Sequence, residues 1–304
     1  MKQLNKIEEI LGAYENLNSG VKNNLAKILM HGKLGGTGRL LILPVDQGHE
    51  HGPDKSFLTN PDAYDPLYHY DLAVKAGLSA YAAPFGFLEA GSQTYSHKIP
   101  TILKMNSSNS LSSQKNQSIN SNIKEALKLG CCAVGFTIYP GSDYQYEMIE
   151  EFKEISYKAS ELGLVSVLWS YPRGNDISKE EETSLDIISY AAHIAAQLGA
   201  HIIKVKPPSD HIKDSSLRKK YVDQKINLAS LASRISHVKK CAFNGKRLVV
   251  FSGGNAKDEK SMLEEINQIK EGGGNGSIIG RNTFQRPRQE AIEMLQEIIN
   301  IYSS

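Results

Sequence analysis

The stretch LGAHIIKVKPP, residues 198–208, carries two lysines inside an apolar run. Burying a free ammonium group is costly, so a strand that holds two of them asks for a reason. Residues two apart on a strand share a face and stand about 7 Å apart along it. Lys204 and Lys206 therefore point one way, and Ile203 and Val205 point the other. An amine that is partly buried beside a second cation gives up its proton easily, and the neutral amine can attack a ketone and form a Schiff base. The alternative is that each lysine pairs with an interior carboxylate.

Other residues suit the same kind of site. Asp46, in LPVDQGHEHGPD, follows an apolar run and could neutralise a lysine, orient a hydroxyl or cap the next element. His49 and His51 form an H-x-H pair that could hold zinc if a third ligand converged. The remaining histidines show no cluster, so no metal is expected. In WSYPRG, Trp169, Tyr171 and Arg173 alternate and can face one cavity. A tyrosine beside a cation is expected to ionise more readily and to pass protons, and an arginine can grip an anion through two bonds. FSGGN (251–255) and IGRN (279–282) put Ser252, Gly253, Gly254, Gly280 and Arg281 at the ends of two further apolar runs. Glycines there let a phosphate reach backbone N–H groups.

These residues need elements to bring them together. Strand patterns fall at 40–48, 79–86, 100–106, 132–141, 164–174, 200–208, 247–254 and 276–282, each short and rich in β-branched residues. Helical patterns fall between most of them, at 65–77, 122–130, 143–163, 184–199 and 258–273, with another at 287–302. Eight strands alternating with helices predict a (β/α)8 TIM barrel, whose active sites lie at the C-terminal ends of the strands. A doubly wound sheet would show a glycine-rich fingerprint after its first strand, and DQGHEHG stands there instead. Residues 1–35 read as extra N-terminal helices under the barrel. No linker is visible, so 1–304 is expected to be one domain. The Ser/Asn-rich stretch 107–121 reads as a mobile surface loop. The segment 207–246 is a long loop after strand six with a helix near 221–238.

Composition narrows the partners. Lys plus Arg (35) nearly balances Asp plus Glu (33), so no strong field points to nucleic acid or to an anionic membrane, while a small anion needs only a local positive site. Cys131, Cys132 and Cys241 are too few and too irregular for a disulfide framework and read as buried thiols. The N-terminus lacks the apolar core of a signal peptide, and no apolar run is long enough to span a bilayer. A soluble cytoplasmic protein is the expectation.

Together, VDQGHEHGPD, ILKMN, AVGFTIYPGS, WSYPRG, LGAHIIKVK, FSGG and IGRNTFQR occur in order across nearly the whole chain. They closely resemble the archaeal-type class I fructose-bisphosphate aldolases, a family also found in many bacteria. The resemblance implies a TIM barrel that cleaves fructose 1,6-bisphosphate reversibly to dihydroxyacetone phosphate and glyceraldehyde 3-phosphate. It needs no metal cofactor, because the imine on a lysine does the work. The family's Schiff-base lysine falls on Lys204, its catalytic tyrosine on Tyr171 and its strand-one aspartate on Asp46. Its substrate contacts fall on Trp169, Arg173, Lys206 and His51, and its phosphate cradle on Ser252, Gly253, Gly254, Gly280 and Arg281. Many archaeal members read D-H-G where this chain reads Asp46-Gln47-Gly48, and the segment after Lys206 is longer here. Relatives in the superfamily use the same lysine on other phosphorylated ketoses or ketoacid-type substrates. Family members form homo-oligomers, often decamers.

Overall fold

Each strand is a short apolar run stopped by residues that cannot continue it. The computed structural model describes residues 2–252 and 258–304. Its strands are β1 (Leu40–Pro44), β2 (Ala80–Ala83), β3 (Thr101–Lys104), β4 (Ala133–Ile138), β5 (Val165–Ser170), β6 (Ile202–Val205), β7 (Leu248–Ser252) and β8 (Gly276–Ile278). All neighbours pair in parallel, and the sheet closes on itself through β1 and β8. This is the expected (β/α)8 barrel. The strands are shorter than the apolar runs suggested. Prolines explain much of that, since a proline donates no ladder hydrogen bond: Pro207 follows Lys206, and Pro172 follows Tyr171.

Alternation divides the side chains as a barrel requires. Ile202, Val167, Leu248, Val250 and Trp169 pack inside, while Ile203, Val205, Leu168 and Val249 pack under the outer helices. Lys204 follows Ile202 by two residues and so points inward. Gly135 of β4 makes room for the bulkiest interior group: a Cβ there would lie 2.5 Å from the Trp169 ring.

The lower end of the barrel is filled by apolar residues. Helix Ser19–Met30 adds Val21, Leu25, Ile28 and Leu29 to the interior cluster. Between it and helix Lys2–Gly12 lies Tyr14. Its hydroxyl donates to the His201 carbonyl (2.6 Å) and accepts the Leu248 N–H (3.0 Å), capping the starts of β6 and β7. With that end filled, the polar interior positions lie at the opposite mouth.

Three stretches differ from the sequence reading. Residues 85–86 leave the second strand at Pro84 and begin a helix, Phe85–Tyr95. The segment 207–246 holds two helices, Ser215–Asp223 and Leu231–Cys241. They are separated where Lys225 takes a left-handed φ of 58°, and Ser230 caps the second with its side chain. The stretch 107–121 is not simply a surface loop. Asn106 and Ser107 pair antiparallel with Ile119 and Ser118, and Ser107, Gln117 and Ser121 are buried.

Candidate active site

The C-terminal ends of the strands surround a cavity of about 650 Å³. Asp46, Glu50 and His51 line it from the β1 side, and Trp169, Tyr171 and Arg173 from β5. Lys204 and Lys206 come from β6, and Ser252, Gly280 and Arg281 from β7 and β8. Of the described residues singled out above for catalysis or substrate binding, all but His49 reach this one cavity. Gly253 and Gly254 lie outside the described residues.

Lys204 is only 5 % exposed. Its Nζ lies 5.4 Å from the centroid of the Trp169 ring and 5.6 Å from that of Tyr171. Burial pulls its pKa down to about 8; Asp46 and Glu50 resist this, and Lys104 and Arg281 assist it. An amine of this kind is neutral in part near neutral pH and competent to attack a carbonyl.

The helping cation is not the one the K-x-K spacing suggested. Lys206 lies one residue past the end of β6 and donates to Glu182 Oε2 at 2.6 Å. Burial lowers its pKa too, but the Glu182 carboxylate holds it charged. The ammonium that bears on Lys204 belongs to Lys104 on β3, which is 1 % exposed. Its Nζ donates to the Asn106 carbonyl and to Asn106 Oδ1 (3.2 Å) and lies 5.8 Å from the Trp169 ring centroid. Asn106 is fixed in turn by the N–H and carbonyl of Thr137, both at 2.8 Å.

Tyr171 also departs from expectation. Burial, then the Asp46 and Glu50 carboxylates, push its pKa well up, and Arg173 only partly opposes them. The phenol therefore keeps its proton at neutral pH. Arg173 is held in place by Tyr139: its guanidinium lies 4.6 Å from that ring and donates to the hydroxyl at 3.1 Å. The Tyr139 hydroxyl also accepts from Gln117 (2.5 Å) and meets Ser108 at 3.0 Å. The Ser/Asn-rich segment thus supports the site wall from behind.

Asp46 precedes the short helix Gln47–His51 and is 7 % exposed. It caps that helix through its carbonyl, which accepts the N–H groups of His49 and Glu50 (both 3.1 Å), and its carboxylate makes no cap bond. Glu50 carries a second carboxylate, one turn on from Asp46. Burial first, and Asp46 next, raise its pKa to about 7 against the pull of Lys104, Arg173 and Lys204. Sequence reasoning passed over it. Its i, i+4 spacing from Asp46 was the available signal, because residues so spaced share a helix face.

The histidine pair divides: His49 is exposed, whereas His51 lines the cavity. Burial, Arg281 and Lys55 lower the pKa of His51, which favours a neutral imidazole. Among the described residues, no three His, Cys, Asp or Glu side chains are grouped to hold a metal ion. At the far wall, Gly280 brings β8 against β1, where a Cβ would lie 2.8 Å from the Pro44 carbonyl. Ser252 and Arg281 stand beside it on the cavity wall.

One property sets the centre of the cavity apart. Among the described residues, Lys204 Nζ, the carboxylates of Asp46 and Glu50, and the Tyr171 hydroxyl accept or donate no hydrogen bond within the protein. The indole N–H of Trp169 is buried and likewise unpartnered. Lys104, Lys206 and Arg173 around them are tied to protein partners. The central groups are free for a ligand, and the peripheral ones hold the frame.

Comparison with known proteins places this arrangement. A model of the DeoC/LacD aldolase family matches residues 40–286. A Chlamydia muridarum protein named a probable class 1 fructose-bisphosphate aldolase is 35% identical, over 94% of this chain and 85% of its own. The class 1 fructose-bisphosphate aldolase of Thermoproteus tenax is 36% identical, over 82% of this chain and 84% of its own. A solved archaeal fructose-1,6-bisphosphate aldolase, with its catalytic lysine covalently bound to the carbinolamine intermediate of the substrate, is 31% identical with a TM-score of 0.76. That match covers 92% of this chain and 99% of the other. The chain belongs to the DeoC/LacD family of aldolases.

Proposed function

We propose that this protein is a class I fructose-bisphosphate aldolase, which cleaves fructose 1,6-bisphosphate reversibly to dihydroxyacetone phosphate and glyceraldehyde 3-phosphate. The observation that carries the reading is the state of Lys204. It is an inward, buried amine with its pKa near 8, unbonded among the described residues, at the C-terminal mouth of an aldolase-family barrel.

The neutral amine attacks the C2 carbonyl, water leaves, and a cationic iminium forms on Lys204. The iminium draws in the C3–C4 bonding electrons, so the chemistry asks for no metal cofactor. Tyr171 takes up the C4 hydroxyl proton and passes its own phenolic proton to a neighbouring carboxylate as that bond breaks, and glyceraldehyde 3-phosphate departs. Protonation of the enamine and hydrolysis then release dihydroxyacetone phosphate. Asp46 balances the charge that develops at Lys204. Trp169 and His51 offer hydrogen bonds to substrate hydroxyls. Ser252, Gly280 and Arg281 cradle one phosphate, the role that the family resemblance also gives to Gly253 and Gly254, and Arg173 and Lys206 face the other end of the substrate.

We place the enzyme in the cytoplasm as a homo-oligomer. Tyr146 and Tyr157, eleven residues apart on helix Gln145–Glu161, are well exposed, as is Tyr190 on helix Leu185–Gln197, and such aromatic faces suit subunit contacts. No described helix is long and apolar enough to cross a membrane.

The test is a cleavage assay on a panel of phosphorylated ketoses and ketoacid aldols, with and without EDTA, for the wild type and Lys204→Met. The reading expects EDTA-resistant cleavage of fructose 1,6-bisphosphate that Lys204→Met abolishes. Preference for another aldol would move the chain to a sister activity, and loss of cleavage with EDTA would turn attention to His49 and His51.

A further inference from the structure

Among the described charged groups at the centre of the cavity that make no hydrogen bond within the protein, Glu50 is the one for which the proposed reaction names no task. Its placement is built. Its N–H is bound to the Asp46 carbonyl at 3.1 Å, and its own carbonyl accepts the Ser110 N–H at 2.8 Å. The Ser56 hydroxyl fixes both ends of the same turn, donating to the carbonyls of Gln47 (3.0 Å) and Gly52 (2.8 Å). The side chain keeps 20 % of its surface, and the nearest nitrogen of a basic side chain, His51 Nε2, is 3.9 Å away. A carboxylate held in such a place without a hydrogen bond is costly.

Tyr171 lines the same cavity from the β5 side, and its phenol supplies a use for Glu50. Burial and the two carboxylates keep the phenol neutral. A neutral phenol is a weak base unless its own proton can leave as it accepts another.

We propose that Glu50 is the proton-relay partner of Tyr171 in carbon–carbon bond cleavage. As the C4 hydroxyl passes its proton to the phenol oxygen, the phenol passes its proton to the Glu50 carboxylate. The C3–C4 pair moves toward the iminium nitrogen and leaves a neutral enamine and the aldehyde. The cationic iminium and anionic Glu50 thus become a neutral enamine and a neutral carboxylic acid, so charge is conserved without an outside base. The proton then returns by the same route to C3 of the enamine, which regenerates the iminium for hydrolysis. This assignment rests on the aldolase reading above.

The charged groups around Glu50 set its proton affinity. Asp46 favours its protonated form. Lys104, Arg173 and Lys204 favour the carboxylate. Tyr139, Tyr171 and His51 complete its surroundings, the first two protonated and the last largely neutral. A relay group serves best when it titrates near the working pH, because it must both take and return the proton.

The test uses full-length Glu50→Gln and Glu50→Asp. Glu50→Gln is expected to form the borohydride-trappable adduct of dihydroxyacetone phosphate on Lys204 as the wild type does. Its kcat for cleavage is expected to fall about 100-fold or more, the usual worth of a positioned acid–base group. Exchange of the C3 hydrogen of dihydroxyacetone phosphate with solvent should slow in parallel. The acidic limb of kcat near pH 7, read in the complex where Lys204 is already an iminium, should vanish in Glu50→Gln and persist, displaced, in Glu50→Asp. Glu50→Gln added to Tyr171→Phe should cost little further. Wild-type kcat and an unchanged acidic limb in Glu50→Gln would overturn the proposal. Equal loss of trapping and cleavage would overturn it in favour of a structural carboxylate. If the wild type itself traps nothing on Lys204, the aldolase reading fails, and that outcome is distinguishable from the others.

Discussion

Lys104 and Lys204 hold their ammonium groups against one indole, 5.8 and 5.4 Å from the Trp169 ring centroid. Two buried cations repel each other, and the one with a fixed acceptor keeps its proton more easily. Lys104 has the Asn106 carbonyl and amide oxygen, while Lys204 makes no such bond among the described residues. The difference leaves Lys204 as the amine that deprotonates.

Lys104→Met should therefore move the pH profile of imine formation. Wild-type trapping is expected to rise with pH and level off above about 8, where Lys204 is neutral. Without Lys104 the rise should move to higher pH, and at pH 7 the rate should fall. Lys206→Met should leave the profile in place and raise KM, because its ammonium is committed to Glu182. Trapping rates from pH 6 to 10 for the three proteins check this.

Tyr171→Phe should separate binding from bond cleavage. The ring and its contact with Lys204 remain, so the adduct with dihydroxyacetone phosphate should still form. Cleavage of fructose 1,6-bisphosphate should slow about 100-fold or more. Parallel loss of trapping and cleavage would mark a packing role for the ring.

Glu50 should burden the fold. Its folded pKa of about 7 lies above the usual 4.5. Between those values the folded chain still holds a proton that the unfolded chain has released, so stability falls as pH rises through that window. Glu50→Gln removes the penalty and should gain about 2–3 kcal/mol at pH 8 and nothing at pH 4. Chemical unfolding at the two pH values measures it.

Acid should act through two other buried groups. Burial holds His69 and His201 near pKa 4, below the usual 6.5. Both are held by hydrogen bonds: His69 donates Nε2–H to the Ala63 carbonyl at 2.8 Å, and His201 Nδ1 accepts the Ser166 N–H at 2.9 Å, which requires a neutral ring. Here the unfolded chain binds the proton first. The stability is fully present above about 6.5 and is lost as pH falls toward 4, by roughly 2–3 kcal/mol for each histidine. His69→Gln and His201→Gln should each flatten the unfolding free energy across pH 4 to 6.5.

The barrel was legible because its signal is repetitive. Eight β-branched runs alternated with helical ones, and the two-residue period placed Lys204 inside and Ile203 outside. Residues on one strand or just past its end were legible for the same reason, as Trp169, Tyr171 and Arg173 were. What the period could not reveal was contact between strands that are distant in sequence. Lys104 and Lys204 are a hundred residues apart, and only closure of the barrel sets both against Trp169. The neighbour two residues away, Lys206, looked like the partner, but Pro207 ends the strand there and Glu182 captures its charge. Tyr171 was misread for a related reason: the adjacent cation was visible, and the two carboxylates that outweigh it come from the β1 side. The support given by Gln117 and Ser108 to Tyr139 lay in a segment whose composition reads only as loop.

The most direct test of the account is to incubate the protein with dihydroxyacetone phosphate, with and without EDTA, reduce with borohydride and map the modified peptide by mass spectrometry. The account predicts one adduct, on Lys204, at the same yield in both conditions. An adduct on Lys104 or Lys206, or none alongside cleavage that EDTA abolishes, would contradict it.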